Sequence, residues 1–325
     1  MASLALWAFN FFAAAAGIAS LIGWVLLGRR SLRLARPLLA AEARRVPFWS
    51  LAEFFLGFGL WLVCSTAAVV TVRKYWGSGE GDDWLQLDAT GFVALAIAGG
   101  VANLLVLACL MVQMGLTSSA TLRRYGFWPR RSDLLLSGVV AFLVIPPVLL
   151  VADLLGRVVE YEHEVLDAIQ REPTFMVFFS MAVGTIVIAP LLEEFLFRAL
   201  LQGGAQRAAR AAVVNDRGQE TNDRQESAKV SDLPTESEAS EIGDTLPIPA
   251  TEVAGWPWWP ILLSSGLFAV MHIGQGAAPI PLFLFSVAMG YVYRQTGRLW
   301  PCILVHALLN AFSMVGFGLQ MLTGD

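Results

Sequence analysis

Stretches of 18 to 25 consecutive apolar residues recur along this chain, and few architectures can absorb them. Each is long enough to cross the roughly 30 Å hydrocarbon layer of a bilayer as a helix. Eight can be delimited, at about 4–28, 49–72, 91–115, 134–156, 175–203, 257–275, 279–297 and 299–321. Lipid offers backbone amides no water to bond, and none of the stretches alternates like a strand. The sequence therefore predicts an all-α fold, a polytopic membrane helix bundle of about eight transmembrane helices. Composition agrees: 56% of the 325 residues are hydrophobic and only 15% are charged. The net charge of -4 says little about nucleic acid, but no basic stripe with interleaved aromatics appears, so no nucleic-acid partner is expected.

Arginine sets the expected orientation. Arg29, Arg30, Arg33, Arg36, Arg44 and Arg45 follow the first helix with only Glu42 against them, so this loop is expected in the cytoplasm. Alternate loops carry Arg123, Arg124, Arg130 and Arg131, then Arg207 and Arg210, then Arg294 and Arg298. The opposite loops are acidic at 77–88 and at 157–173, the latter reading as an amphipathic helix on the outer surface. Both termini are expected outside, with a bacterial inner membrane as the best fit. The first helix lacks a basic leader region and reads as an anchor that stays in place.

Residues 213–252 break the apolar pattern with Glu, Asp, Ser, Thr and Pro, the composition of a disordered cytoplasmic loop. The expected organisation is then 1–120 as N-terminal helices, 121–212 as the first part of a core, 213–252 as the loop, and 253–325 as the second part. Cys64, Cys109 and Cys302 show no paired spacing and read as packing residues.

The fifth apolar stretch contains "PLLEEFLFRALL", 190–201, with Glu193, Glu194 and Arg198 inside it. Each charge near mid-bilayer costs roughly 2.5–3.5 kcal/mol on insertion scales. Glu194 and Arg198 stand four apart on one helical face and can pair. Glu193 lies about 100° further round and has no partner on its own helix. Two later membrane helices hold the only intramembrane histidines: His272, one turn after Phe268, and His306, one turn before Asn310. A carboxylate, two imidazoles and a carboxamide can activate water and stabilise an oxyanion. Glu53, Asn103, Gln113 and Asp153, also in or near spans, have no such companions and read as interfacial or helix-bonding groups.

Glu-Glu-x-x-x-Arg in "EEFLFR", Phe-x-x-x-His in "FAVMH" and His-x-x-x-Asn in "HALLN", in that order, resemble the three motifs of the CPBP family of intramembrane proteases. That family comprises CAAX prenyl proteases, bacteriocin-processing enzymes and abortive-infection proteins. The similarity extends over roughly 125–315 and leaves out the first three helices. The resemblance implies that Glu193 and His272 bind and activate water, that His306 and Asn310 form an oxyanion pocket, and that Glu194, Arg198 and Phe268 support them. Its implied activity is hydrolysis of a peptide bond in a membrane-associated protein or peptide, with membrane lipid as surroundings; that no cofactor is required is expected from the absence of His-Glu-x-x-His and is not decided by the resemblance.

Two alternatives stay open on the residues alone. Glu193, His272 and His306 could instead hold a divalent metal such as zinc, although His-Glu-x-x-His is absent. The chain could also be a non-enzymatic immunity or scaffold protein, or a proton-coupled transporter. With the spans as drawn, His272 falls near the outer end of helix six, well away from Glu193. A shared site requires helix six to be shifted or tilted, or helix five to break at Pro190.

Overall fold

The computed structural model describes residues 2–77, 87–117, 125–159, 164–213 and 247–323. All eight apolar segments are helical within an all-α membrane bundle. The long helices are α1 (Ala2–Leu34), α2 (Leu51–Trp76), α3 (Ala89–Thr117), α4 (Arg131–Gly156), α6 (Phe175–Val213) and α10 (Trp300–Thr323), and all six are long and apolar enough to span a membrane. Shorter helices are α5 (Glu164–Arg171), α7 (Ala250–Ala254), α8 (Trp259–Val270) and α9 (Pro279–Thr296). The helix starts follow from local chemistry. Ser50 and Glu53 form a capping box on α2, so Glu53 is a capping group. Thr174 caps α6 through the Val177 amide.

Helix α6 is continuous but not uniform: it widens to π geometry over Gly184–Ile188 and again over Phe195–Gln202. Pro190 follows the first widening. A proline removes one N–H and crowds the preceding turn, and a π turn is one way for a helix to absorb it without a break.

The sixth predicted span is the main correction. Helix α8 has 12 residues, about 18 Å of rise, and ends at Val270 rather than at 275. It forms a hairpin with α9: Ser264 and Ser286 both meet Arg198, and Trp258 stacks on Tyr291 at 5.7 Å. Its tip, residues 271–278, stops short of one end of the bundle. Phe285 lies 5.3 Å from His306, ring to ring, and α9 begins only six residues beyond it, about 9 Å. Helix α10 continues from His306 to Thr323, about 26 Å. His272 therefore sits in the turn at the hairpin tip, at depth, which removes the offset that the sequence implied.

The arginine-bearing loops converge at the other end of the bundle. Arg298 pairs with Glu42 at 2.7 Å and with Asp133, tying the α1–α2 loop, α4 and the α9–α10 turn together. Arg44 donates to the Tyr293 carbonyl at 3.0 Å, and its backbone pairs with Ile248. Ile248, Val253 and Trp256 pack on Val46. Residues 247–252 are thus folded, as is Val213 at the end of α6, which trims both ends of the loop expected at 213–252. Residues 214–246 lie outside the described residues, as do Arg123, Arg124, His163 and most of the acidic stretch 77–88. Within the stretch 157–173, α5 covers Glu164–Arg171, with Ala168 and Ile169 buried on the start of α6, and residues 160–163 lie outside the described residues. Asp153 pairs with Arg157 at 2.6 Å. Cys64, Cys109 and Cys302 are free thiols.

Two consequences are measurable. Arg198 is fully buried and its partners Glu194, Ser264 and Ser286 belong to three helices. Removing one partner of a buried pair leaves an uncompensated charge, so Arg198→Met should cost about 3–5 kcal/mol, read as a lowered thermal midpoint in detergent. Gly126 and Gly297 both have positive φ, and a Cβ on Gly126 would stand 2.0 Å from the Gly297 carbonyl. Gly126→Ala should cost about 1–3 kcal/mol in the same assay while leaving helix content unchanged.

Candidate active site

The hairpin tip leaves room between itself and the longer helices. That room is a cavity of about 580 Å³, walled by Phe58 and Trp61 of α2, Asn103 of α3, Leu192, Leu196 and Phe197 of α6, and Met271 to Gln275 of the tip. Glu193 and His272 both line it, and Asp167 of α5 reaches it from the end opposite the arginine loops. The wall is mostly aromatic and aliphatic, with a few polar groups set into it.

The two adjacent glutamates have separate fates. Glu194 is fully buried, with one carboxylate oxygen 3.0 Å from Arg198 Nε and the other 2.9 Å from His306 Nδ1. Glu193, a third of a turn away, keeps 31% of its side-chain surface exposed and turns it to the cavity. Its carboxylate lies 3.7 Å from His306 Nε2, an ionic contact longer than a hydrogen bond. His306 thus stands between the two carboxylates and is itself nearly enclosed.

Arg198 finishes the buried cluster. Its Nη1 donates to Ser264 at 3.3 Å and its Nη2 to Ser286 at 2.7 Å, while Phe268 packs under the guanidinium at 5.6 Å. One turn along, Gln202 donates to the Gly290 carbonyl at 2.8 Å. Ser264, Ser286 and Gln202 were not distinguished by the sequence, since serine and glutamine in apolar helices carry no spacing signal of their own.

Phe268 separates the buried cluster from the cavity. Its ring lies 4.8 Å from that of His272 and 5.8 Å from that of His306. The Phe268 carbonyl also fixes His272, whose Nδ1 stands 2.8 Å from it. A carbonyl can only accept, so Nδ1 carries the proton and the neutral ring presents a lone pair at Nε2. This leaves His272 Nε2 able to accept a hydrogen bond.

Asn310 completes the set in a way that begins with Pro190. The Ala189 N–H bonds to the Gly184 carbonyl, five residues back, so it does not serve Thr185. The next N–H in π register would be that of residue 190, and proline has none. The Thr185 carbonyl is left without a helical partner, and Asn310 Nδ2 donates to it at 2.8 Å. The carboxamide has a second N–H beyond this bond.

The structure thus brings Glu193 to His306 and places Glu193 and His272 on one cavity; His306 and Asn310 stand behind that lining, one turn apart on α10. Among the described residues no three His, Cys, Asp or Glu side chains are grouped to hold an ion. His306 Nδ1 is already occupied by Glu194. Asn103, expected to bond between helices, accepts from Trp61 Nε1 at 3.1 Å and also lines the cavity. Asp167 was hidden in an acidic stretch where no one residue stood out.

No curated protein and no solved structure matches the chain significantly. Residues 175–312 do match one family model, described as type II CAAX prenyl endopeptidase Rce1-like. The match starts at the first residue of α6 and ends two residues past Asn310, so it holds every motif residue described above. Over this segment the chain is similar to Rce1-like endopeptidases, a likeness consistent with the CPBP proteases, and its six long apolar helices make it an integral membrane protein.

Proposed function

We propose that this protein is an intramembrane endopeptidase that cleaves a membrane-associated protein or peptide with water activated by Glu193. The observation that carries the reading is the division of labour between neighbours. Glu194 is consumed by Arg198 and His306, whereas Glu193 is left open to a cavity that also holds His272. A helix needing only internal charge balance has no use for the second carboxylate.

In this mechanism a water sits between the Glu193 carboxylate and His272 Nε2. Glu193 takes a proton as the water oxygen attacks the scissile carbonyl carbon, and His272 accepts a hydrogen bond from the other water proton and aims the lone pair. The tetrahedral intermediate collapses with the C–N bond broken and the Glu193 proton passed to the leaving amine. In this reading the oxyanion would be met from behind the cavity lining by the second N–H of Asn310 and, in the doubly protonated ring, by the Nε2–H of His306. The Thr185 carbonyl and Glu194 fix the orientation of these two groups.

Apolar cavity walls suit side chains from a membrane segment, and a lipid-modified tail is one substrate of that chemistry. The arginine distribution assigns the loop-rich end to the cytoplasm and both termini to the outside, and a bacterial inner membrane fits.

The reaction is tested with protein in lipid nanodiscs and quenched-fluorescence peptides, prenylated and unmodified. Glu193→Gln should lower kcat by at least about 10²-fold at an unchanged thermal midpoint, and His272→Ala should act likewise. Cleavage that persists at the wild-type rate in Glu193→Gln would remove the mechanism.

Asn310 has a separate test, because its two N–H groups have different duties. Asn310→Ala should lower stability by about 1–3 kcal/mol through the orphaned Thr185 carbonyl and lower kcat by about 10²–10³-fold. Pro190→Ala restores an N–H at 190, so the double variant should regain stability but not turnover. Recovery of both would show Asn310 to be a brace alone.

A further inference from the structure

A second pocket lies at the end of the bundle away from the cavity. Arg44, Arg45, Arg130 and Arg298 line it, with Glu42 as the one acidic side chain in the lining. Three chain segments build it: the α1–α2 loop, the turn before α4, and the α9–α10 turn. Its free volume is about 50 Å³, several times the least that one water needs, and small enough to exclude anything much larger than a single tetrahedral oxyanion.

The charges do not balance. Glu42 bridges Arg298 at 2.7 Å and Arg130 at 3.9 Å, and Asp133 takes a further bond from Arg298. Four guanidinium groups against two carboxylates leave an excess of two positive charges. Arg45 has no ionic or hydrogen-bonding partner among the described residues. Arg298 is 7% exposed, and its Nε has no acceptor. An enclosed guanidinium N–H without an acceptor is costly, and guanidinium groups bind phosphate oxygens in bidentate fashion.

Rigid backbone frames the site. Gly126 and Gly297 both have positive φ; a Cβ on Gly126 would stand 2.0 Å from the Gly297 carbonyl and one on Gly297 would stand 2.9 Å from Arg44 Nε, and Leu299 N–H donates to the Gly126 carbonyl at 3.3 Å. The site is therefore held by packing and not by the ligand.

We propose that this pocket binds a phosphate group, the shared chemistry of an anionic phospholipid headgroup and of free inorganic phosphate. The arginine distribution places this end at the expected cytoplasmic headgroup layer, where either source can reach it. The site shares no residue with the cavity of Glu193 and His272, and it stands whether or not that cavity is proteolytic.

The experiment uses the full chain and its Arg45→Gln/Arg130→Gln variant. Both side chains are partly exposed, and the buried Arg298 pairs stay intact. Binding of inorganic phosphate is measured in neutral detergent at constant ionic strength. Retention of phosphatidic acid is measured in nanodiscs otherwise made of phosphatidylcholine. At least one ligand should bind the wild type tenfold or more tightly than the double variant. Preference confined to phosphatidic acid assigns a lipid headgroup; preference for inorganic phosphate assigns a free anion. Should the double variant misfold, Arg45→Gln alone removes a side chain with no protein partner, and a fall of threefold or more is expected. Equal binding to wild type and variants, or no binding to wild type, overturns the proposal.

Discussion

Everything else in the membrane core is arranged around one ion pair, Glu194 with Arg198. Two charges taken out of water lose several kcal/mol each unless every donor and acceptor is satisfied, and here the satisfaction comes from other helices. Arg198 draws in Ser264 of α8 and Ser286 of α9, while Glu194 draws in His306 of α10. A contact that begins as an i,i+4 pair within α6 thereby fixes the position of three neighbours. Apolar packing among lipid-like side chains could not do so, since lipid tails compete for it on nearly equal terms. The pair also decides what the next residue is for. Once Glu194 faces the bundle interior, the 100° helical step turns Glu193 towards the space beyond the hairpin tip.

Backbone irregularity supplies the second constraint. In a bilayer every carbonyl needs a donor, so a π turn that frees one creates a demand that a side chain must meet. Thr185 is freed by the combination of a five-residue bond to Gly184 and the missing N–H of Pro190, and Asn310 answers it. Ala199, inside the second π stretch, accepts from the Trp49 indole at 2.7 Å. Each irregularity in α6 is thus a docking point: the first for α10, the second for the segment leading into α2. The helix that carries the two glutamates is anchored on both sides of them.

These features differ in how far the sequence discloses them. Apolar length is a local property, so the helices could be read directly, and so could the Glu194–Arg198 pair from its spacing. The three motifs were recognisable because each pairs two unusual residues at helical spacing. Depth was not recognisable. Hydropathy counts residues without saying where a helix begins in the membrane, and the run from 257 to 275 looked like a full span. The glycines and proline of "HIGQGAAP" at 272–279 were the available sign that α8 ends early and that His272 belongs to a turn. Asn103 was legible as a helix-bonding group, but nothing marked it or Asp167 as lining a cavity: a single polar residue has that meaning only once folding puts a cavity beside it. The arginines read as one-sided in sequence, but their pairing with Glu42 and Asp133 joins residues more than 150 positions apart.

The two ends of the bundle are built on opposite principles, and that asymmetry bears on access. At the arginine end, ion pairs and close backbone contacts cross between the α1–α2 loop, α4 and the α9–α10 turn, which leaves a space of ionic dimensions only. At the other end, α8 and α9 stop short while α6 and α10 run on, which leaves a cavity more than ten times larger with Asp167 in its wall. A peptide bond inside an intact transmembrane helix presents no free carbonyl to a nucleophile, because its hydrogen bonds are internal. Cleavage in the proposed mechanism therefore requires a substrate segment that has unwound or never been helical. In that mechanism the recess beyond the hairpin tip would take such a segment, its few polar groups, Asn103, Gln275 and Asp167, meeting exposed amides while the apolar wall takes side chains. The half-length hairpin is what makes the recess: extending α8 by two turns would fill it.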